Sequence, residues 1–419
     1  MRALCTLWVC LFLPAAGAAA LEEVVLQVDD PGGAAGRVGA PVSVPVDLEA
    51  LFGPQARPPS WFLEEVGGEP DVRAHPRFLP SQFEPDAPGS NRGRLWWLMP
   101  AGPEGRRQFK FSLVMIKMAP VWEVQVDRER QRVDLKERQQ PVLRYNHGTV
   151  PVPEGTHPHF AAGESYARGD YISPLFGPDG EELTEDYPRD HPHHRGVWWS
   201  WPVTRWGEQV ADIWAVRGVW SRPVALRRVE ARLVLAVIRA ENCWKFGKDE
   251  TPIVREEVVI RAFRQTGRSR FVDVEVALTA LVDGVAIGGR PKAGYGGFSL
   301  RAAPCKDRQI TPHADPAGAN PRRAWIDYSG VFPGGKGPAG VTLLEHVTNP
   351  DYPSDLHQYP GCNCVMPAFP GAREVALSKE KPLVLKHRLW IHPGGPEEAK
   401  LADVWASYAE PPKVNVVKE

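Results

Sequence analysis

Apolar positions in the second half of the chain recur at every second residue. Val229, Ala231, Leu233, Leu235 and Val237 alternate with polar or smaller neighbours. Val254, Val258, Ile260 and Ala262 keep the same period, with Glu256 at one inward position, and Val272, Val274, Val276 and Leu278 repeat it. A period of two belongs to a strand with one face on a core. No helical pattern separates these runs, so the strands should follow one another as an antiparallel meander. A further strand is expected over 383–391, and earlier ones over 42–46, 95–98 and 109–118. One helix is expected near the end. Pro396, Glu397 and Glu398 suit a first turn, and Leu401, Val404, Trp405 and Tyr408 share one face.

These patterns predict an all-β protein. A chain of 419 residues exceeds the size at which one core stops growing. The division expected is a small N-terminal β-sandwich over 21–120, with an accessory role, and a large antiparallel β-sandwich of the mutarotase-like supersandwich type over 121–419. The 39 glycines and 43 prolines fit a turn-rich β protein, because 43% hydrophobic residues can still build a large core. A net charge of -1 argues against a nucleic-acid partner.

Residues 1–20 read as a signal peptide. Met1-Arg2 is a positive start, 3–13 are apolar but for Thr6, and Ala18-Ala19-Ala20 offers a cleavage site. The apolar run is shorter than the roughly 20 residues that span a bilayer. Export to the periplasm or the extracellular space is expected, with no transmembrane segment in the mature chain. Cys243, Cys305, Cys362 and Cys364 would remain, and one or two disulfides are possible in an oxidising compartment, their pairing open. Cys362-x-Cys364 could be a soft metal site; the plainer reading is a structural or partly free pair.

The candidate chemistry centres on Asp190-His191-Pro192-His193-His194-Arg195-Gly196-Val197-Trp198-Trp199-Ser200-Trp201. Imidazoles ligate metals or move protons near neutral pH, and indoles wall ligand sites. In an extended segment His191 and His193 point one way and His194 the other. Carboxylates nearby, such as Asp186 and Asp190, orient imidazole rings. The glycine-rich 292–301 stretch lacks a phosphate-loop ending; either a ligand approaches its backbone beside Lys292 and Tyr295, or it is a bulge in a sheet. The loop carrying Glu345, His346, Asn349, Asp351 and Tyr352, with His357 beyond, holds more polar function than a connector needs.

Asp190-His191-Pro192-His193-His194-Arg195-Gly196, the 292–300 segment, Trp325-Ile326-Asp327-Tyr328 and His346-x-x-Asn349-Pro350-x-Tyr352-Pro353 together resemble the PmoA-like family of exported bacterial proteins. The resemblance runs over roughly 144–393. It implies an exported β-rich protein, often encoded among carbohydrate-degradation proteins, and brings no catalytic roles with it. The positions matching its motifs are Asp190, His191, His193, His194, Arg195, Asn349 and Tyr352.

Three functions are then expected in turn. The first is an exported carbohydrate-active protein, a hydrolase, lyase or epimerase. Trp198, Trp199 and Trp201 would stack on sugar faces, and His193 or His194 would act as general acid with Asp190 or Glu345 as base. Arg195, Lys292, Tyr295, Asn349, Tyr352 and His357 would bind substrate. The second is an oxidoreductase using copper or iron held by His191, His193 and His357. The third is a non-catalytic carbohydrate-binding envelope protein.

Overall fold

The computed structural model describes residues 24–53, 60–66, 78–114, 119–153 and 166–418. The leader expected over 1–20 lies outside them, as do positions 115–118 of the strand expected at 109–118. The protein is 56% strand and 6% helix, an all-β sandwich built from large antiparallel sheets. Among the described residues no helix is long and apolar enough to cross a membrane.

The central layer is an eight-stranded sheet. Its strands run in the order Val219–Ala231, Leu235–Phe246, Thr251–Phe263, Arg270–Ala280, Leu383–Pro393, Ala339–Glu345, Ala324–Val331 and Lys306–Ala314. The alternation expected at 254–262 and 272–278 is present, and it does double duty. Val258, Ile260, Ala262, Val272, Val274 and Val276 enter one core, while Val259, Phe263 and Phe271 on the opposite face enter a second. The run at 229–237 differs. It crosses a hairpin, because the first strand ends at Ala231 and the next begins at Leu235.

The first core lies between this sheet and another eight-stranded sheet, which carries the site. That sheet has the order Asp355–Tyr359, Cys364–Ala368, Gly297–Arg301, Val197–Ser200, Tyr171–Leu175, Gln140–Asn146, Arg132–Glu137 and Trp122–Asp127. Burying each Val, Leu or Ile side chain there contributes about 1.5–3 kcal/mol against the entropy of ordering it.

The second core joins the central sheet to the N-terminal region. That region is one seven-stranded sheet, so its second layer is the central sheet and not a sheet of its own. The last strand, Lys413–Lys418, returns to pair with Val24–Asp30 at its edge, so the two parts of the chain are not divided cleanly near 120. The expected helix forms over Glu398–Ala409, with Pro396 just ahead of its N-cap, Glu397. Leu401, Val404, Trp405 and Tyr408 all enter the second core. Across the same interface Glu84 accepts from Arg239 Nη2 at 2.5 Å and Arg261 Nε at 2.9 Å, and within its own sheet from Trp96 Nε1 at 3.0 Å.

Candidate functional site

The loop leading into strand Val197–Ser200 does not run extended through the histidines. Pro192, with φ restricted near the value a turn requires, follows His191, and the His194 amide donates to the His191 carbonyl at 2.9 Å. This turn changes which imidazoles meet. His191 and His194 stack, with ring centroids 4.7 Å apart and planes at 15°. His193 stands edge-on to both, at 5.8 Å from His191 and 4.7 Å from His194. The pairing of His191 with His193 expected from an extended segment is therefore corrected to His191 with His194.

Arg195 clamps the turn. It is fully buried, donating to the carbonyls of Pro192 at 2.8 Å and Tyr166 at 2.6 Å, with Asp186 at 3.4 Å and its guanidinium over the Tyr187 ring. It faces no substrate. Asp190 is held by Arg301, whose Nη2 donates at 2.7 Å and Nη1 at 3.2 Å, and its Oδ2 stands 2.9 Å from His191 Nδ1. That places Asp190 as the group that orients an imidazole, not as a free base.

Strands paired on either side of Gly297–Arg301 then bring a distant segment to the histidines. Val197–Ser200 lies on one flank and Cys364–Ala368 on the other. The turn Pro360–Cys362, closed by Asn363 in the left-handed region, presents Cys362 to the imidazoles. One donor atom from each of His191, His194 and Cys362 lies within 4.8 Å of the other two. They sit at a cavity of about 250 Å³ whose walls include His193, Trp214, Tyr295, Tyr359 and Met366, with Arg217 and Arg290 also lining it. His194 is 4% exposed, and its Nδ1 has no hydrogen-bond partner. A buried imidazole nitrogen left unanswered costs free energy unless a ligand meets it.

Electrostatics favour neutral imidazoles and a charged thiol. Burial, reinforced by the positive charges of His191, Arg168, Arg195 and Arg217, holds His193 down at about 3. Burial also pushes His194 well below the usual histidine range. Both rings are therefore disfavoured as imidazolium, the form a general acid at neutral pH would use. The Cys364 thiol, hydrogen-bonded to Cys362, lowers the Cys362 thiol to about 6, with His191 and Arg301 adding to the effect, while burial raises Cys364. All four described cysteines are free thiols; the one or two disulfides held possible from the sequence are not formed among them.

The tryptophans expected to line a cleft are interior. Trp198, Trp199 and Trp201 are 0%, 3% and 0% exposed. Trp199 Nε1 donates to Glu256 at 2.5 Å and Trp201 Nε1 to the Phe369 carbonyl at 3.0 Å, inside the core between the sheets. Trp198 backs His194 at 5.1 Å. Trp214, Tyr295 and Tyr359 take the wall position instead.

The loop after strand Ala339–Glu345 does not reach the cavity. Glu345 is buried and accepts from the Ser354 amide and hydroxyl, both at 2.8 Å. Asn349 makes a two-way bond to the Lys386 backbone at 2.9 and 2.8 Å. Tyr352 donates to the Arg322 carbonyl at 3.0 Å and accepts from Trp405 at 2.8 Å, which ties the loop to the helix. These residues fasten a loop. Lys292 is exposed and away from the cavity lining. His357 is not among the converging donors; its Nδ1 lies 3.1 Å from the Tyr359 hydroxyl, so it positions that wall. Gly297 has φ +97 and would put a Cβ 2.9 Å from the Phe369 carbonyl, so the glycine-rich stretch serves close backbone packing.

Residues 132–406 match a family of unknown function (DUF6807). The chain belongs to this family. No curated protein matches it. The part shared with DUF6807 includes His191, His194, Arg301 and Cys362, whereas six of the seven strands of the N-terminal sheet precede it and the seventh follows it.

Proposed function

We propose that this protein is a metal-dependent oxidoreductase that holds a copper ion between His191, His194 and Cys362 and acts on a small ligand in the adjoining cavity. The observation that carries this reading is the convergence of two imidazoles and a thiol within 4.8 Å at a cavity. Two imidazoles, one thiol and a thioether (Met366) lining the same space form a soft donor set suited to copper. Arg301 holds Asp190, whose Oδ2 stands 2.9 Å from His191 Nδ1, so a carboxylate lies where the outer partner of a metal-bound imidazole is needed. The metal set expected from the sequence, with His193 and His357, gives way to His194 and Cys362.

Acid–base processing of a carbohydrate has less support. No carboxylate is among the described residues lining the cavity, and the expected stacking tryptophans are buried. Kinship with the PmoA-like proteins, and export through residues 1–20, stand as part of the same proposal; the motif residues Asp190 to Gly196 fall inside the family match.

The test is a copper titration of metal-free protein, followed by absorption spectroscopy. One equivalent should bind and, as Cu(II), give a visible thiolate-to-copper charge-transfer band. Cys362→Ser should abolish the band. Copper bound with no such band, or no stoichiometric binding at all, would overturn the reading.

A further inference from the structure

We infer that the ligand of this cavity is a small organic carboxylate, held at the arginine-lined side with its body against the aromatic wall. The inference rests on the cavity being the functional site, and it names what enters it.

Two guanidinium groups, Arg217 and Arg290, line the cavity, and no Asp or Glu is among the described residues that do. Arg290 is fixed in place. Its Nε donates to the Tyr295 hydroxyl at 2.9 Å and its Nη2 lies 3.4 Å from Asp212 Oδ2, while 43% of its side chain stays exposed. Asp212 stands behind the lining and also accepts from the Ala215 amide at 2.8 Å. Fixing a guanidinium by one edge while leaving the rest open prepares it to receive a planar anion through a bidentate contact.

Behind the wall most guanidiniums are paired with carboxylates, Arg301 with Glu185 as well as Asp190. Arg168, 6% exposed, spends its Nη1 on the carbonyls of His193 and Trp214 at 3.4 and 3.2 Å. Arg301 and Arg195 lie behind the histidine turn, paired with Asp190 and Asp186. The two guanidiniums on the lining itself, with no carboxylate among the described residues that face in, favour an anion at that side.

The remaining walls set the body of the ligand. Trp214, Tyr295 and Tyr359 form an aromatic surface, with Trp214 and Tyr295 centroids 5.4 Å apart and Tyr295 and Tyr359 6.1 Å apart. About 250 Å³ is room for a small molecule. A single carboxylate on a compact body with one apolar face matches both ends. Such a molecule would place its far side toward His191, His194 and Cys362.

Calorimetric titrations with benzoate and with D-glucuronate, each beside its neutral amide, test this on metal-free full-length protein. At least one carboxylate should bind, its amide at least tenfold more weakly. Arg290→Gln should weaken that binding at least tenfold, and Arg217→Gln should do so independently, while Arg227→Gln on the far exposed surface should not. The two probes distinguish an aromatic body from a sugar body. Failure of both carboxylates, equal affinity for an amide, tighter binding of inorganic phosphate, or indifference to both arginine substitutions would overturn the inference. Cys362→Ser, at the opposite end of the cavity, separates the two ends. Loss there with Arg290→Gln unaffected would assign the anion to the donor cluster and sink the carboxylate clamp. Copper stoichiometry, measured separately, reports on the metal centre whatever the outcome of these titrations.

Discussion

His392 and His194 are both withdrawn from solvent, yet their surroundings have little in common. At His392, Nε2 lies 2.8 Å from Asp327 Oδ2, and the same oxygen accepts the Thr342 hydroxyl at 2.7 Å. All three residues are 0% exposed, and the imidazole stacks on Trp390 at 4.3 Å. This is a polar cluster within the central sheet in which the imidazole is paired, although Asp327 Oδ1 has no partner. At His194, Nδ1 has no partner, a second imidazole is stacked beside it, and a thiol converges from another strand connection onto a hollow. His387 supplies the control. Its Nδ1 is also unpartnered, but it lies flat on Phe298 at 4.1 Å and, among the described residues, it belongs to no converging group of three or more metal donors. An orphaned buried nitrogen is therefore not sufficient to make a site. Convergence of several donors on accessible space is what separates His194 from the other two.

The comparison breaks most readily at its two extremes. Cys362→Ser should lower copper affinity by more than about 100-fold, beyond what loss of an outer hydrogen bond causes, and shift urea unfolding by less than about 1 kcal/mol. Asp327→Ala should do the reverse. It leaves His392 and Thr342 without their acceptor and should cost about 3–5 kcal/mol of stability, with copper affinity of the folded protein unchanged. If Cys362→Ser collapses the fold while Asp327→Ala is silent, the assignment of open and closed sites is backwards. Next in size is Asp190→Asn. The amide removes the negative charge beside His191, and copper affinity should fall about 10–100-fold. A chelator-competition assay reads this directly, and an unchanged affinity would remove Asp190 from the centre.

What the chain announced of this contrast follows from the range of each signal. Alternation at 254–262 and 272–278 is local, so those strands were legible residue by residue. The helix face of Leu401, Val404, Trp405 and Tyr408 was legible for the same reason. The run Val197–Trp201 is apolar on both faces because its strand is buried on both sides, and such a run does not say which indole meets a cavity. It pointed to the right neighbourhood and the wrong wall. The HPHH stretch marked the site, but one hydrogen bond across Pro192 decides whether His193 or His194 joins His191, and alternation read as extended chain gave the wrong partner. Cys362 reaches the histidines only through the pairing of three strands distant in sequence. Cys-x-Cys alone carried no hint of that. The loop at Glu345, Asn349 and Tyr352 shows the opposite error, since polar residues that fasten a loop to its neighbours look in sequence like residues that bind a ligand.

The smallest effect concerns the control residue. Burial alone holds His387 down at about 3. Its folded value lies below the unfolded value of about 6.5, so the stability gained by keeping it neutral is complete above about pH 6.5 and is lost as pH falls toward 3. From pH 7 to pH 5.5 that loss is about 1.3 kcal/mol. His387→Leu is close in size and has no proton to bind, so the variant should escape this loss. The stability difference between the variant and the parent should therefore move by about 1.3 kcal/mol in the variant's favour over that interval. His193 and His194 titrate in the same direction in both proteins and cancel from the difference. Glu84, held down at about 2 by Arg261 and Arg239 against the cost of its burial, changes stability only below about pH 4.5 and stays outside the window. Urea melts of the two proteins at pH 7, 6 and 5.5 measure the quantity. A flat difference would mean that His387 already shares a proton with an unseen partner, and His194 would then lose the contrast that sets it apart as the open site.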